Sequence, residues 1–480
     1  MEDDDEGAVG PVSFQNRTDR VIIHCDLDCF YAQVEMVRSP ELRNIPMGVF
    51  QKYLVVTANY VARGLGVPKM CSIDEAKRIC PQIILIDGSD LTPYRAANNA
   101  LCKVFRRFSP VVEKLGLDEV FLDVTKDVED RLAVGLHDWS WRGHVFGLEE
   151  EDLRGGAPSS DPCALRLMVG SQIAEEIRKA LVDEVGYTCS AGISTAKTFA
   201  KMVGKEHKPN DQTTLLPSQA EGYFLPKDIR KVPGVGHSMG KDLEELGVKI
   251  VRDLVQFSMP ELKERFGERI ATFLFLRARA IDNDPVKDQG APKSISVEDS
   301  MRGLSTDAQV ESVMRTLAVD LQLRLEEDAK EFSRHPKTLF IRMRLDMRKY
   351  RKTSRSVPMP REAITMRSKE EQAEALFKAG INLFRRSVQA PFTVKVLTLG
   401  VTGFDNPSDS SSSSSSGMSA PITSFFQRVH PPSSMTLTPF SESKNDPFLS
   451  SPNPSNNNNS NKMLSPSYNT ATPSSASRLY

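Results

Sequence analysis

The sequence predicts a multidomain α+β protein with a disordered C-terminal tail. Three observations carry this. At 480 residues the chain exceeds what one ordinary core serves. Short β-branched runs alternate with longer stretches whose apolar residues recur at helical spacing. From Asp405 onward the composition collapses to Ser, Asn and Pro, including Ser410 to Ser416 and Asn456 to Asn459. Such a stretch has too little apolar surface to offset the entropy of ordering it.

Residues 1–16 open with Met1-Glu2-Asp3-Asp4-Asp5-Glu6 and read as an acidic, disordered arm rather than a signal peptide. Val21 to Asp28 reads as a buried strand ending in two carboxylates, Asp26 and Asp28. Phe30 to Val37 has helical spacing, and Ser39-Pro40 ends it. Met47–Phe50, Tyr53–Thr57 and Ile83–Ile86 read as strands around a helix at Asp74–Cys80, a small α+β insert. In Leu91 to Phe108, the residues Leu101, Val104, Phe105 and Phe108 form one stripe, which assigns that face to the core. Val111–Leu115 and Val120–Val124 pair around Gly116-Leu117-Asp118-Glu119. Residues 137–161, with both tryptophans, an acidic run and Gly155-Gly156, read as a surface loop. Cys163–Val185 and Thr195–Val203 are helices flanking a strand at Tyr187–Ile193. Residues 219–286 are all-helical. Residues 293–402 return to α/β, with strands near Lys337–Leu345 and Phe392–Thr398 and helices near Val310–Asp328 and Lys369–Arg386.

Lys plus Arg is 62 and Asp plus Glu is 63, a net charge of -1. Near-neutrality leaves room for a basic face toward nucleic acid. No apolar run approaches the ~18 residues of a membrane span. Seven cysteines without framework spacing point to a reducing compartment. Cys25 and Cys29 have no second Cys/His pair to complete a soft-metal site and are read as packing residues.

The chemistry concentrates in acidic pairs. Carboxylates at the end of an apolar strand are costly unless something neutralises them. Hard divalent cations do so with oxygen ligands. Asp118-Glu119 lies where two β runs meet, and a turn there lets both side chains join Asp26. Three such carboxylates, with the Leu27 carbonyl, suit two Mg²⁺ or Mn²⁺ ions about 3.5–4 Å apart, the arrangement for in-line nucleotidyl transfer. Each acidic pair taken alone is better explained as a solvated surface pair. Tyr60 and Arg63 fall on one face of a short helix. With Lys208 they can clamp a triphosphate, Arg as a fork and Lys as a point charge. Gly234 and Gly236, in Pro233-Gly234-Val235-Gly236, resemble a helix-hairpin-helix loop that brings backbone N–H groups to a phosphate. From Arg334 to Arg355 there are nine Lys or Arg and one acid. There Arg342 and Arg344 share a strand face, and Arg348 and Lys349 follow, a pattern that tracks a DNA backbone or serves as a nuclear address. In the tail, Ile422, Phe425 and Phe426 form an isolated apolar cluster. It is similar to the box by which replication proteins bind the sliding clamp, with Ser419 where Gln is usual.

In order, Asp26 to Glu35 (DLDCFYAQVE), Asn59-Tyr60-Val61-Ala62-Arg63, Leu117-Asp118-Glu119 and Lys208-Pro209-Asn210 resemble the Y-family translesion DNA polymerases over about residues 20–403. The resemblance implies a right hand: a palm at 17–29 and 91–217, small fingers at 30–90, a helical thumb at 218–287, an α/β little finger at 293–403, and a disordered tail at 404–480. It implies Asp26, Asp118 and Glu119 as catalytic metal ligands, joined by Leu27. It implies Tyr31 as the steric gate against a 2′-hydroxyl, and Tyr60, Arg63 and Lys208 on the triphosphate of a deoxynucleotide. Gln51, Lys52 and Leu54 would roof the templating base. Gln51 to Thr57 and Val169 to Ile173 are similar to one branch, in which that roof is narrow and turns a template purine toward Hoogsteen pairing. The implied activity is error-prone, DNA-directed synthesis across damaged bases in the nucleus, on primer-template DNA and without a membrane. A deoxyribose-phosphate lyase activity is implied too, with no nucleophile assigned.

Two other classes compete. One is a non-catalytic DNA-binding scaffold that recruits other polymerases, and the complete carboxylate set argues against it. The other is a palm-fold cyclase or an acidic-motif glycosyltransferase. The basic strand and the helix-hairpin-helix loop argue against both, since neither needs duplex DNA.

Overall fold

The computed structural model describes residues 16–135, 139–149, 151, 161–288, 290–345 and 352–405. The chain divides into a unit of residues 1–410 and one of 411–480, and every described residue lies in the first. Arg348, Lys349, Ile422, Phe425 and Phe426, with nearly all of the 1–16 arm and of the 404–480 tail, lie outside the described residues.

The first elements are β1 (Ile22–Leu27), α1 (Phe30–Arg38), β2 (Met47–Gln51), β3 (Leu54–Ala58), α2 (Tyr60–Gly64), β4 (Cys71–Ser72), α3 (Ile73–Ile79), β5 (Ile84–Asp87) and α4 (Thr92–Phe108). Then follow β6 (Val112–Lys114), β7 (Glu119–Asp123), α5 (Thr125–Val134), β8 (His144–Val145), α6 (Pro162–Val185), β9 (Cys189–Ser194), α7 (Lys197–Val203) and β10 (Gln212–Thr214). The helices α8 (Pro217–Phe224), α9 (His237–Glu245), α10 (Met259–Phe266) and α11 (Glu268–Arg277) come next. The last group is β11 (Ser294–Leu304), α12 (Asp307–Phe332), β12 (Pro336–Arg344), β13 (Thr353–Pro358), α13 (Glu362–Thr365), α14 (Lys369–Ser387) and β14 (Val394–Phe404).

Local chemistry explains the boundaries. Asp161 caps α6 by accepting from the Cys163 N–H at 2.9 Å, and Pro162 fits its first turn. Gly186, at φ 77°, closes the helix in the left-handed region. Ser72, Thr306 and Ser368 cap α3, α12 and α14 in the same way as Asp161.

Three sheets organise the strands: β6-β7-β1-β9-β10-β8, β4-β3-β2-β5 and β11-β14-β12-β13. In the first, β1 lies antiparallel between β7 and β9. Its side chains alternate. Val21, Ile23, Cys25 and Leu27 enter the main core with Leu101 and Phe105 of α4 and Leu167 and Ile177 of α6. Ile22 points the other way, onto Phe121 and Ala200 of α7. By the same period His24 and Asp26 share the α7 face, and His24 packs against Phe121 at 4.8 Å. The all-helical stretch builds its own core around Phe224, Leu243, Leu254 and Leu274. The last sheet closes on α12 and α14 through Met314, Leu321, Leu339, Leu376 and Phe384.

The expectation of a surface loop at 137–161 is corrected over its described part. Trp139 and Trp141 pack against the main core, and β8 joins the first sheet parallel to β10. Ser171 accepts from the Arg142 N–H at 3.0 Å, and Gln172 donates to the Ser140 carbonyl at 3.1 Å. Two half-buried indoles outweigh the glycines and acids that mark the stretch as a loop. Four further strands, β4, β10, β11 and β13, were not expected. The two-residue β4 is too short to show a period, and the other three carry polar residues at alternate or consecutive positions, which hides them from a search for apolar runs.

Helix α7 crosses β9 at backbone contact. A Cβ on Gly192 would sit 2.0 Å from the Ala200 carbonyl oxygen and 2.6 Å from the Gly204 nitrogen. Gly192→Ala is expected to cost about 2 to 3 kcal/mol, read as a lower chemical-denaturation midpoint. An unchanged midpoint would contradict the close approach.

Candidate active site

The site forms at the end of β1 on the α7 face. Asp26 lies directly opposite Glu119 in the β1–β7 register, which places both side chains on that face. Asp118 precedes β7, and its carbonyl accepts from the Leu27 N–H at 2.9 Å. It sits in a bend, so strand alternation does not turn it away from Glu119. All three acids line one cleft of about 530 Å³ with Leu27, Tyr31, Tyr60, Arg63, Lys205 and Lys208.

Electrostatics distinguish the acids. Burial, then the charges of Asp26 and Glu119, push Asp118 up to about 6. Lys208 forms an ion pair with Asp26 at 2.7 Å, and Lys201 of α7 pairs with Glu119. Asp28, whose side chain turns away, is buried and fully engaged. It accepts from Thr188 Oγ1 at 2.9 Å, Ser190 Oγ at 2.7 Å and the Asn210 N–H at 2.9 Å. It therefore braces the start of α1 against β9.

Cys29 caps α1 in the left-handed region at φ 40°. Burial raises its thiol to about 12, which leaves no thiolate for a soft metal. Tyr31, the second residue of α1, stands edge-on to Tyr94 with ring centroids 4.4 Å apart. Tyr94 is buried and donates to Glu35 at 2.8 Å, and Glu35 is bridged to Arg38. A fixed wall thus backs Tyr31. Burial and then Asp118 hold its phenol above the ordinary value.

Asn59 positions the opposite wall. Its side chain caps α2 by accepting from the Ala62 N–H at 2.9 Å and donates to the Ile45 carbonyl at 2.8 Å. Arg63 donates to the Ala58 carbonyl at 2.8 Å and to Thr57 Oγ1 at 3.2 Å, with its guanidinium 4.9 Å over the Tyr60 ring. Burial first, then Asp28, pushes Tyr60 up to about 12, so the hydroxyl stays a donor.

Gln51, Lys52 and Leu54 lie at the β2–β3 turn and line a second cavity of about 590 Å³, which shares Val56 and Met70 with the first. Gln51 donates to the Gly88 carbonyl at 2.8 Å. Lys52, at φ 59°, pairs with Asp299 of β11.

Gly234 and Gly236 lie apart from the cleft. Gly234 has φ 97° and packs so closely that a Cβ would sit 2.8 Å from the Phe273 ring, and Gly236 opens α9. The helix expected before this loop is only the 3₁₀ turn Ile229–Lys231. On β12, Arg342 is exposed and lies 4.4 Å over Phe340, while Arg344 is half-buried. Sequence reading passed over Lys201 and Lys205. Their spacing ahead of Lys208 along one helix and its exit turn was the available signal.

Among the described residues, no three His, Cys, Asp or Glu side chains are gathered to hold a metal ion as they stand. Two of the three carboxylates are turned onto lysines instead. The donor set is all hard oxygen, and the raised Asp118 marks a centre short of positive charge. Both fit a hard divalent cation.

Comparison with known proteins gives three matches along the chain. Residues 25–205 match the impB/mucB/samB family, 230–282 the DNA polymerase-iota thumb domain, and 292–415 the impB/mucB/samB C-terminal domain. The chain is 40% identical over 354 residues to human DNA polymerase iota, covering 73% of this chain and 47% of that protein. It is 37% identical over 418 residues to DNA polymerase iota of Drosophila melanogaster, covering 82% and 55%. It is 31% identical over 312 residues to DNA polymerase IV of Pectobacterium atrosepticum, covering 64% and 78%. The chain spans about half the length of the two iota relatives. No described helix is long and apolar enough to cross a membrane. The chain belongs to the impB/mucB/samB family, the Y family of DNA polymerases, and is similar to its iota members.

Proposed function

We propose that the chain is an error-prone, DNA-directed DNA polymerase of the iota type. It adds deoxynucleotides to a primer opposite damaged template bases. The observation that carries this is the pairing of Asp26 with Glu119 across β1 and β7, with Asp118 in the same cleft as Tyr31, Tyr60, Arg63 and Lys208. A non-catalytic scaffold has no need of that convergence.

Asp26, Asp118, Glu119 and the Leu27 carbonyl would hold two divalent ions, Mg²⁺ or Mn²⁺. When bound, such ions activate the primer hydroxyl and neutralise the triphosphate. Once Asp26 and Glu119 are so engaged, the ammonium groups of Lys208 and Lys201 are released toward the nucleotide. Arg63 offers its fork and Tyr60 its hydroxyl to the phosphates, and Tyr31 lies under the sugar. Gln51, Lys52 and Leu54 cover the templating base.

Residues 17–29 and 91–217 then form the palm, 30–90 the fingers, 218–287 the thumb and 293–403 the little finger. DNA lies along Gly234, Gly236, Arg342 and Arg344, with Arg348 and Lys349 beyond the described residues. Such a polymerase acts in the nucleus, and Ile422, Phe425 and Phe426 of the tail are the segment for the sliding clamp.

Single-nucleotide insertion opposite each of the four template bases tests this reading. The iota type predicts insertion that prefers G over A opposite template T. No insertion opposite any base with Mg²⁺ or Mn²⁺ would overturn it.

A further inference from the structure

We propose that Lys205 is a further triphosphate-positioning residue, whose ammonium receives the phosphates beyond the reacting one and the pyrophosphate released from them. This rests on the polymerase reading above and names a contact that reading does not contain.

Lys205 lines the same cleft as Asp26, Asp118, Glu119, Arg63 and Lys208. Its two lysine neighbours are each occupied, Lys201 with Glu119 and Lys208 with Asp26. Lys205 has no ion pair among the described residues. Burial holds its ammonium below the ordinary value, with Lys201 and Lys208 acting in the same sense and Glu119 and Asp26 against it. A cation in the cleft with no ion-pair partner of its own among the described residues is free to take an anion.

The backbone that carries it is fixed. Gly204 lies against Gly192, where a Cβ on Gly204 would come within 2.8 Å of the Gly192 nitrogen. The Lys205 N–H donates to the Met202 carbonyl at 3.3 Å. On the C-terminal side Glu206 accepts from Tyr223 at 2.7 Å, and the His207 ring stacks on His144 at 3.6 Å. The head group is therefore delivered by an anchored turn. Lys205 lines the same cavity as Arg63 and Lys208, so a polyanion held by those two would lie within that cavity. The primer end, which carries one phosphate per residue, does not need a fourth cation there. A triphosphate and its pyrophosphate product do.

The test compares the unsubstituted 480-residue chain with Lys205→Met and Lys205→Arg on one primer-template. Steady-state insertion and the reverse reaction driven by inorganic pyrophosphate are both measured. Lys205→Met is expected to raise the nucleotide KM and the pyrophosphate concentration for half-maximal reversal by about three- to tenfold, with kcat changed less than about twofold. Lys205→Arg is expected to restore both. Unchanged values in Lys205→Met, or a loss confined to kcat, would overturn the assignment. Failure of the polymerase reading looks different, because the unsubstituted protein would then extend no primer at all.

Discussion

Asp118→Asn is expected to abolish nucleotide incorporation while making the metal-free protein more stable. Loss of one carboxylate from the centre of the site removes several kcal/mol of charge stabilisation, so insertion falls at least about 10³-fold. The stability gain follows from the upward shift of Asp118 from 3.8 to about 6. A raised carboxyl pKa favours the folded state while the group is protonated, below about 3.8. That advantage is lost as pH rises through about 6, where folding must bury a charge. The neutral amide avoids the charge. The variant is therefore expected to unfold about 2 to 4 °C higher at pH 7.5 and no higher near pH 3.8. Thermal scans at the two pH values read this directly. A variant less stable than the unsubstituted protein at pH 7.5 would show that Asp118 is held by favourable contacts and that the site is not short of positive charge.

Tyr31→Ala is expected to admit ribonucleotides. The ring is backed by buried Tyr94, which Glu35 holds by its hydroxyl. It cannot yield to a 2′-hydroxyl without disturbing that wall. Truncation removes the obstruction and is expected to lower discrimination between deoxy- and ribonucleotides by about 100-fold. Competing dGTP and GTP insertion gives the ratio. A ratio within twofold of the unsubstituted protein would move the gate to another residue.

Much of this was legible in the chain. The buried strand, its terminal Asp26 and the stripe on α4 follow from periodicity alone. Both acids of Asp118-Glu119 reaching one side did not. Alternation predicts opposite faces, and only the bend before β7 resolves the conflict. The lysine arrangement was harder still. Lys201 and Lys205 look like ordinary helix-surface residues until α7 is laid against β9, and that depends on two glycines far apart in sequence. The edge strand β8 escaped for the reverse reason, since its local composition argues for a loop and its sheet partner, β10, lies far along the chain.

The Gly192–Gly204 contact has a mechanical consequence. Asp26, Glu119, Lys205 and Lys208 all hang from one frame, in which β1 pairs with β7 and β9 and α7 is locked onto β9 at backbone distance. Tyr60 and Arg63 are mounted on a different sheet, reached through residues 28–47 and 88–91. Met47 and Val49 of that sheet pack into the same main core as β1, so the two walls of the cleft, though built on different sheets, share one foundation.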